Sequence, residues 1–228
     1  MSLLLVAHGT RKPAGVTMAG ELAQRVSDRL RQRVHVAFVD VLGPTPEEVL
    51  RTLPAERPVV VVPAFLANGY HVRVDLPAHV AASGHRAVTI TDPLGRCPST
   101  VRVVAQRLVE CGWRRGDSVI LAAAGTSDAC AQSDLRQTAA MVSAVIGDRV
   151  ELAYAATGEP RIHDAVADLR RRSTRRVVLA SYLLADGLFQ DRLRDSGADL
   201  VADPLGDHPA MVRLIANRFE RARVPLPA

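Results

Sequence analysis

The sequence predicts an α/β protein made of two tandem halves, each a parallel sheet flanked by helices. Short apolar runs alternate with stretches of helical period along all 228 residues, as consecutive βαβ units require. The clearest run, Val59–Val62, is four β-branched residues between Pro58 and Pro63, the pattern of a strand buried on both faces of a parallel sheet. The third observation is that the order of segments occurs twice.

In the first half, Leu3–Ala7 reads as a strand that runs into His8, Gly9 and Thr10. A helix follows, with Ala19, Leu22, Ala23, Val26 and Leu30 on one face. Val34–Val41 is the next strand. Thr45-Pro46-Glu47-Glu48 then supplies an N-cap, a proline in the first helical position and a capping-box glutamate. The Val59 strand leads into Asn68, Gly69, Tyr70 and His71. A helix over Pro77–Ser83, a strand at Ala87–Thr91 and a helix from Pro98 to Gly112 complete the half. Asp75 and His79 lie four and eight residues past His71 and on a helix would share its face, but a helix that begins at Pro77 would leave Asp75 as its cap.

The second half echoes the first. Val119–Thr126 repeats Leu3–Thr10, and Ala153-Tyr154 with Pro160 repeats Ala37-Phe38 with Pro44, each displaced by 116 residues. Val177-Val178 and Ala185-Asp186-Gly187 return Val59-Val60 and Ala67-Asn68-Gly69, displaced by 118. Asp203-Pro204-Leu205-Gly206 returns Asp92-Pro93-Leu94-Gly95, displaced by 111. Four segments in the same order mark an internal duplication, with repeats 1–114 and 115–228.

Composition narrows the function. Aromatic residues make up only 4%, too few for a platform that stacks nucleic-acid bases, and no nucleic-acid motif accompanies the formal charge of +5. Nearly all the positive charge is arginine, Lys12 being the lone lysine, and arginine grips carboxylates and phosphates in a two-pronged way. Cys97, Cys111 and Cys130 are odd in number and far apart, so reduced thiols are expected. No stretch approaches a membrane span and the N-terminus enters a strand at once, so the expectation is a soluble cytoplasmic protein without a membrane partner. There is no Walker A loop, GxGxxG, HExxH or GxSxG.

The candidate chemistry lies at strand ends, where open α/β sheets bind ligands. His8 follows the first strand and His71 follows the Val59 strand, so both are expected on one rim. In the second half Ala124 and Phe189 stand at the aligned positions, which points to a reaction site in the first half and scaffold in the second. Imidazole binds divalent metals and accepts protons near physiological pH. Asp40 ends its strand and could add a carboxylate. Gly9 and Gly69 allow a large ligand close to the backbone, and Thr10-Arg11-Lys12 forms a small basic loop suited to anions. His35, His85, His163 and His208 lack such a setting and are expected at the surface.

VAHGTR at Val6–Arg11, FVDVLGPTPEE at Phe38–Glu48 and PAFLANGYHVRVDLP at Pro63–Pro77 resemble the sirohydrochlorin chelatases, class II metal-insertion enzymes of siroheme and cobalamin synthesis that use no ATP. The resemblance covers the whole chain, in the long form with two fused repeats. It implies two flavodoxin-like, chelatase-like halves and insertion of Fe²⁺ or Co²⁺ into sirohydrochlorin in a cleft between them. It also implies His8 and His71 as metal ligands, with Asp40 beside them in catalysis; relatives often carry glutamate at that position. Gly9, Thr10, Arg11, Lys12, Asn68, Gly69 and Arg73 would bind the polycarboxylate ring. No cofactor beyond the substrate metal is implied, and the fused repeat implies a monomer. No histidine-rich or iron–sulfur tail is present, which favours iron over the specialised cobalt forms. A tetrapyrrole or metal carrier without turnover is the alternative.

Overall fold

A computed structural model describes residues 1–9, 13–206 and 208–222. They form two compact units, one of Met1–Leu94 with the segment from Pro209 onward, the other of Gly95–His208. The first unit holds a four-stranded sheet of order β2-β1-β3-β4, with β1 at Ser2–Ala7, β2 at Val34–Phe38, β3 at Val59–Pro63 and β4 at Val88–Ile90. Every pairing is parallel. Leu3 lies opposite Val34 on one side and Val60 on the other, and the ladder ends at Ala7 with Phe38 and Val6 with Pro63. Leu3, Leu4, Leu5 and Val59–Val62 are at most 2% exposed. Continuous burial explains why these strands read as unbroken apolar runs rather than alternating ones.

The helices start and stop where local chemistry says they should. α1 (Pro13–Leu30) opens on a proline and buries Ala19, Leu22, Ala23 and Val26. α2 (Pro46–Thr52) has the full capping box: the Glu48 N–H donates to Thr45 Oγ1, and the Thr45 N–H donates to Glu48 Oε2 at 2.8 Å. The segment after β3 departs from expectation. The helix begins at His71 rather than Pro77, as a π-helix over His71–Asp75 that continues into α3 (Leu76–Ser83). Asp75 has helical backbone angles and makes no side-chain cap, so the capping role expected of it is not what the structure holds.

The second unit repeats the plan. β5 (Ser118–Gly125), β6 (Val150–Thr157), β7 (Val177–Tyr182) and β8 (Leu200–Val201) form a parallel sheet of order β6-β5-β7-β8. The Phe38 N–H donates to the Pro44 carbonyl at 2.9 Å, and the Tyr154 N–H donates to the Pro160 carbonyl at 3.0 Å. The compact units do not coincide with the sequence repeats, however. α4 (Pro98–Glu110), the last helix of the first repeat, packs on α5 (Ala129–Ile146) and β7 in the second unit. α8 (Pro209–Arg221), the last helix of the second repeat, packs on α1 and β3 in the first. His208, expected at the surface, is 8% exposed, with Nε2 3.7 Å from Glu110 Oε1. Among the described residues no helix is long and apolar enough to cross a membrane.

An ion pair between the buried Asp117 and the half-exposed Arg176 clamps the start of the second sheet. Asp117 takes a two-pronged contact from Arg176, Nε to Oδ1 at 3.1 Å and Nη2 to Oδ2 at 2.7 Å, while the Arg114 N–H donates to Oδ2 at 2.8 Å. Burial alone would raise the Asp117 carboxyl, but the Arg176 guanidinium and these hydrogen bonds outweigh it and hold the group below its usual range.

Two measurements test this packing. Phe219 is fully buried on α8, so Phe219→Ala should cost about 3–5 kcal/mol. Hydrogen exchange should then show protection falling first in β1–β4; a loss confined to β5–β8 would place α8 in the wrong unit. Asp117→Ala should cost about 1.5–3 kcal/mol at neutral pH, the worth of hydrogen bonds to a charged group. Because the folded carboxyl sits below its unfolded value, that stabilisation is present above about pH 4 and lost as pH falls through the folded value. Urea unfolding between pH 7 and 2 should therefore show a smaller acid-side decline in Asp117→Ala than in the wild type.

Candidate functional site

Strand order creates the site. β1 lies between β2 and β3, and the chain runs from β1 to β2 on one side and from β3 to β4 on the other, so the topological switch point at which such sheets bind ligands falls between β1 and β3. At the carboxyl rim the Val39 N–H donates to the Ala7 carbonyl and the Ala64 N–H to the Val6 carbonyl. Just beyond these last rungs lie His8, one residue past β1, and Asp40, two past β2. His71 opens the π-helix after β3. One potential donor atom from each of the three lies within 4.8 Å of the others, and no other group of three or more His, Cys, Asp or Glu is so placed among the described residues.

Backbone constraints set this geometry. A Cβ on Gly9 would lie 1.8 Å from the Asp40 carbonyl oxygen, so only glycine lets the β1 and β2 loops touch. Val41, beside Asp40, has φ +68°, a left-handed conformation that is costly for a β-branched residue. It is held by its N–H donating to Asp40 Oδ1 at 2.6 Å and by the Leu42 N–H donating to the Asp40 carbonyl at 2.7 Å. Asp40 Oδ2 then lies 3.9 Å from His8 Nε2. His8 Nδ1 is 2.6 Å from the Gly9 carbonyl, which can only accept, so Nδ1 carries the hydrogen and Nε2 keeps its lone pair. The His8 and His71 rings meet edge to face, centroids 4.9 Å apart.

The π-helix has a local cause. In a continuous α-helix the ring of Pro77 would strike the carbonyl of Arg73, four residues back. The Leu76 N–H instead donates to the His71 carbonyl, closing a wider turn. Within that turn His71 Nδ1 lies 2.6 Å from Asp75 Oδ2.

This cluster is open. Metal–nitrogen and metal–oxygen bonds of about 2.0–2.2 Å put neighbouring ligands about 3–3.5 Å apart, so donors spaced up to 4.8 Å must draw in to close on an ion. The side chains of His8 and Asp40 are half exposed, at 50% and 51%. A closed structural metal site has four tight ligands; three loose, wet ones suit an ion that arrives and departs. Val41, Tyr70 and Val74 are exposed apolar side chains on the same segments, and the Phe65 and Tyr70 rings each lie 6.3 Å from the His71 ring.

The other expected residues fall as follows. Gly69 stands just before the π-helix, its carbonyl accepting from the Val72 and Arg73 N–H groups. Asn68 is half-buried in the preceding loop and Arg73 is exposed on the π-helix. Thr10, Arg11 and Lys12 lie outside the described residues. The spacing allowed Asp75 either to share a helical face with His71 or to cap a helix starting at Pro77; the helix starts earlier, and the structure holds the first arrangement. In the second unit, Gly125 repeats the role of Gly9: its Cβ would fall 2.0 Å from the Thr157 carbonyl oxygen. Ala124 and Phe189 offer no donor there, and Arg192 lies 5.7 Å over the Phe189 ring. A concavity of about 1020 Å³ beside the edge strand β2 shares no lining residue with the histidine cluster.

One pair of substitutions tests the close approach. Gly9→Ala should cost about 1–3 kcal/mol through overpacking, and should spread His8 from Asp40, weakening Co²⁺ binding. Gly20→Ala adds the same methyl in open space on α1 and should stabilise by about 0.4–1 kcal/mol. Denaturant unfolding and a Co²⁺ titration on both variants check the opposite signs.

Comparison with known proteins agrees with this architecture. A sirohydrochlorin ferrochelatase of Priestia megaterium is 22% identical, the match covering 96% of this chain and 89% of the relative. A sirohydrochlorin cobaltochelatase of Methanothermobacter thermautotrophicus is 27% identical over 47% of this chain and 90% of its own length. Among solved structures, SirB from Bacillus subtilis with Fe³⁺ superposes with a TM-score of 0.84 at 18% identity, covering 96% of this chain and 94% of that one, which establishes a shared fold. The CbiX family model matches twice, over residues 2–111 and again over 118–222, once per repeat. With both repeats matched, the chain belongs to the CbiX family.

Proposed function

We propose that this protein inserts a divalent metal ion, Fe²⁺ or Co²⁺, into sirohydrochlorin without ATP, and that His8, Asp40 and His71 handle the ion and the departing protons. The observation that carries this is the open trio of two imidazoles and a carboxylate, gathered within 4.8 Å at the switch point of a CbiX-family sheet. Names of relatives on both sides of the iron–cobalt divide support the reaction class and leave the metal open.

The chemistry needs little else. Insertion exchanges two pyrrole protons for one M²⁺, so the site must hold a partly dehydrated ion over the ring and then accept protons. Imidazole suits borderline divalent ions, and its Nε2 lone pair serves either purpose in turn. The Asp40 carboxylate offsets charge while the ion sheds water. The exposed apolar side chains of Val41, Tyr70 and Val74 offer a flat macrocycle a surface beside the donors. Carboxylates on the ring rim would be met by Arg73 and by Thr10, Arg11 and Lys12, with Gly9, Asn68 and Gly69 giving backbone access. The macrocycle supplies the chelation; the protein supplies orientation and a proton sink.

Anaerobic mixing of the protein with sirohydrochlorin and Fe²⁺ or Co²⁺, followed by the ring's absorption, should show many turnovers per protein. His8→Ala and His71→Ala should each lower insertion by about 10²–10⁴-fold, the range for loss of a positioned proton acceptor, with unchanged circular dichroism. Wild-type rates in both variants would remove these residues from the mechanism. Binding of ring and metal at one equivalent without turnover would make the protein a carrier.

A further inference from the structure

Asp75 is half-buried, with a side chain 28% exposed, and makes no helix cap. Its Oδ2 lies 2.6 Å from His71 Nδ1. The helix that starts at His71 brings the two together, because residues four apart are neighbours on one helical face. A carboxylate can only accept, so this contact requires a hydrogen on Nδ1 and leaves the lone pair on Nε2. His8 reaches the same tautomer through the Gly9 carbonyl. The two imidazoles are thus set alike by different partners, one a neutral carbonyl and the other a carboxylate. The carboxylate has the larger effect, because it both orients the ring and increases electron donation from the nitrogen opposite.

Taking the reading of His71 as a metal-handling residue, we infer that Asp75 is a positioning residue: it holds His71 with Nδ1 protonated and Nε2 directed to the ion. The role is carried through His71 and needs no contact between Asp75 and the metal.

The test uses the full-length metal-free protein with ¹⁵N-labelled histidine. Long-range ¹H–¹⁵N spectra should assign the His71 hydrogen to Nδ1 in the wild type and in Asp75→Asn, whose amide oxygen still accepts, and move it toward Nε2 in Asp75→Ala. Titration with Co²⁺ alone, read by visible absorption, should show affinity lowered 10–100-fold in Asp75→Ala and partly restored in Asp75→Asn. In a His71→Ala background, Asp75→Ala should cause no further loss, because residues acting through one another are not additive. Unchanged His71 tautomer and Co²⁺ affinity in Asp75→Ala would overturn the inference, as would a full additional loss in the His71→Ala background. If His71→Ala leaves metal insertion intact while the tautomer shift appears, the proposed reaction mechanism fails and the hydrogen-bond assignment stands.

Discussion

The rest of the first unit depends on the parallel ladder that seats β1 between β2 and β3. Its register ends Ala7 against Phe38 and Val6 against Pro63, so three chain segments leave the sheet at the same height. A one-residue slip of β1 would turn its side chains to the opposite face and carry His8 away from both neighbours. Apolar burial enforces that register: Leu3, Leu4, Leu5 and Val6 are fully enclosed, and each would lose about 1.5–3 kcal/mol if exposed. The geometry of the His8, Asp40 and His71 cluster is therefore a by-product of hydrophobic registration several residues upstream.

What stands on that rim is held by backbone as much as by side chains. Gly9 presses against the Asp40 carbonyl, Val41 is kept in a left-handed turn, and the π-helix before Pro77 widens to spare the Arg73 carbonyl. Such irregularities cost conformational energy and persist where the surrounding fold over-determines them. Here all three converge on the segments that carry His8, Asp40 and His71. The donors themselves stay half exposed and loosely spaced, which fits a site through which an ion passes better than one that retains it.

The duplication provides an internal comparison. The second unit has the same strand order, the same loop contact at Gly125 and the same hydrogen bond to a proline carbonyl, there from Tyr154 in β6. At the positions of the histidines it has Ala124 and Phe189, with Arg192 over the phenylalanine ring. The features that persist in both units are those of chain geometry, and those that differ are the donor atoms. Scaffold and chemistry thus separate cleanly between the two copies.

The amino-acid sequence by itself determined what depends on near neighbours and on period: the buried strands, the Thr45–Glu48 capping box, the repeat, and which polar residues stand at strand ends. His8, Asp40 and His71 were legible because a parallel sheet fixes where its carboxyl ends point. Tertiary structure alone decided the rest. The π-helix arises from a clash between the Pro77 ring and a carbonyl one turn back, and the start of the helix at His71, which the pattern did not mark, decides that Asp75 pairs with His71 rather than capping a helix. His208 looked like a surface residue, yet its burial depends on packing in the second unit. The placement of α4 and α8 was equally hidden: both are amphipathic helices from related repeats, and an apolar face specifies that it must be covered without specifying which sheet will cover it.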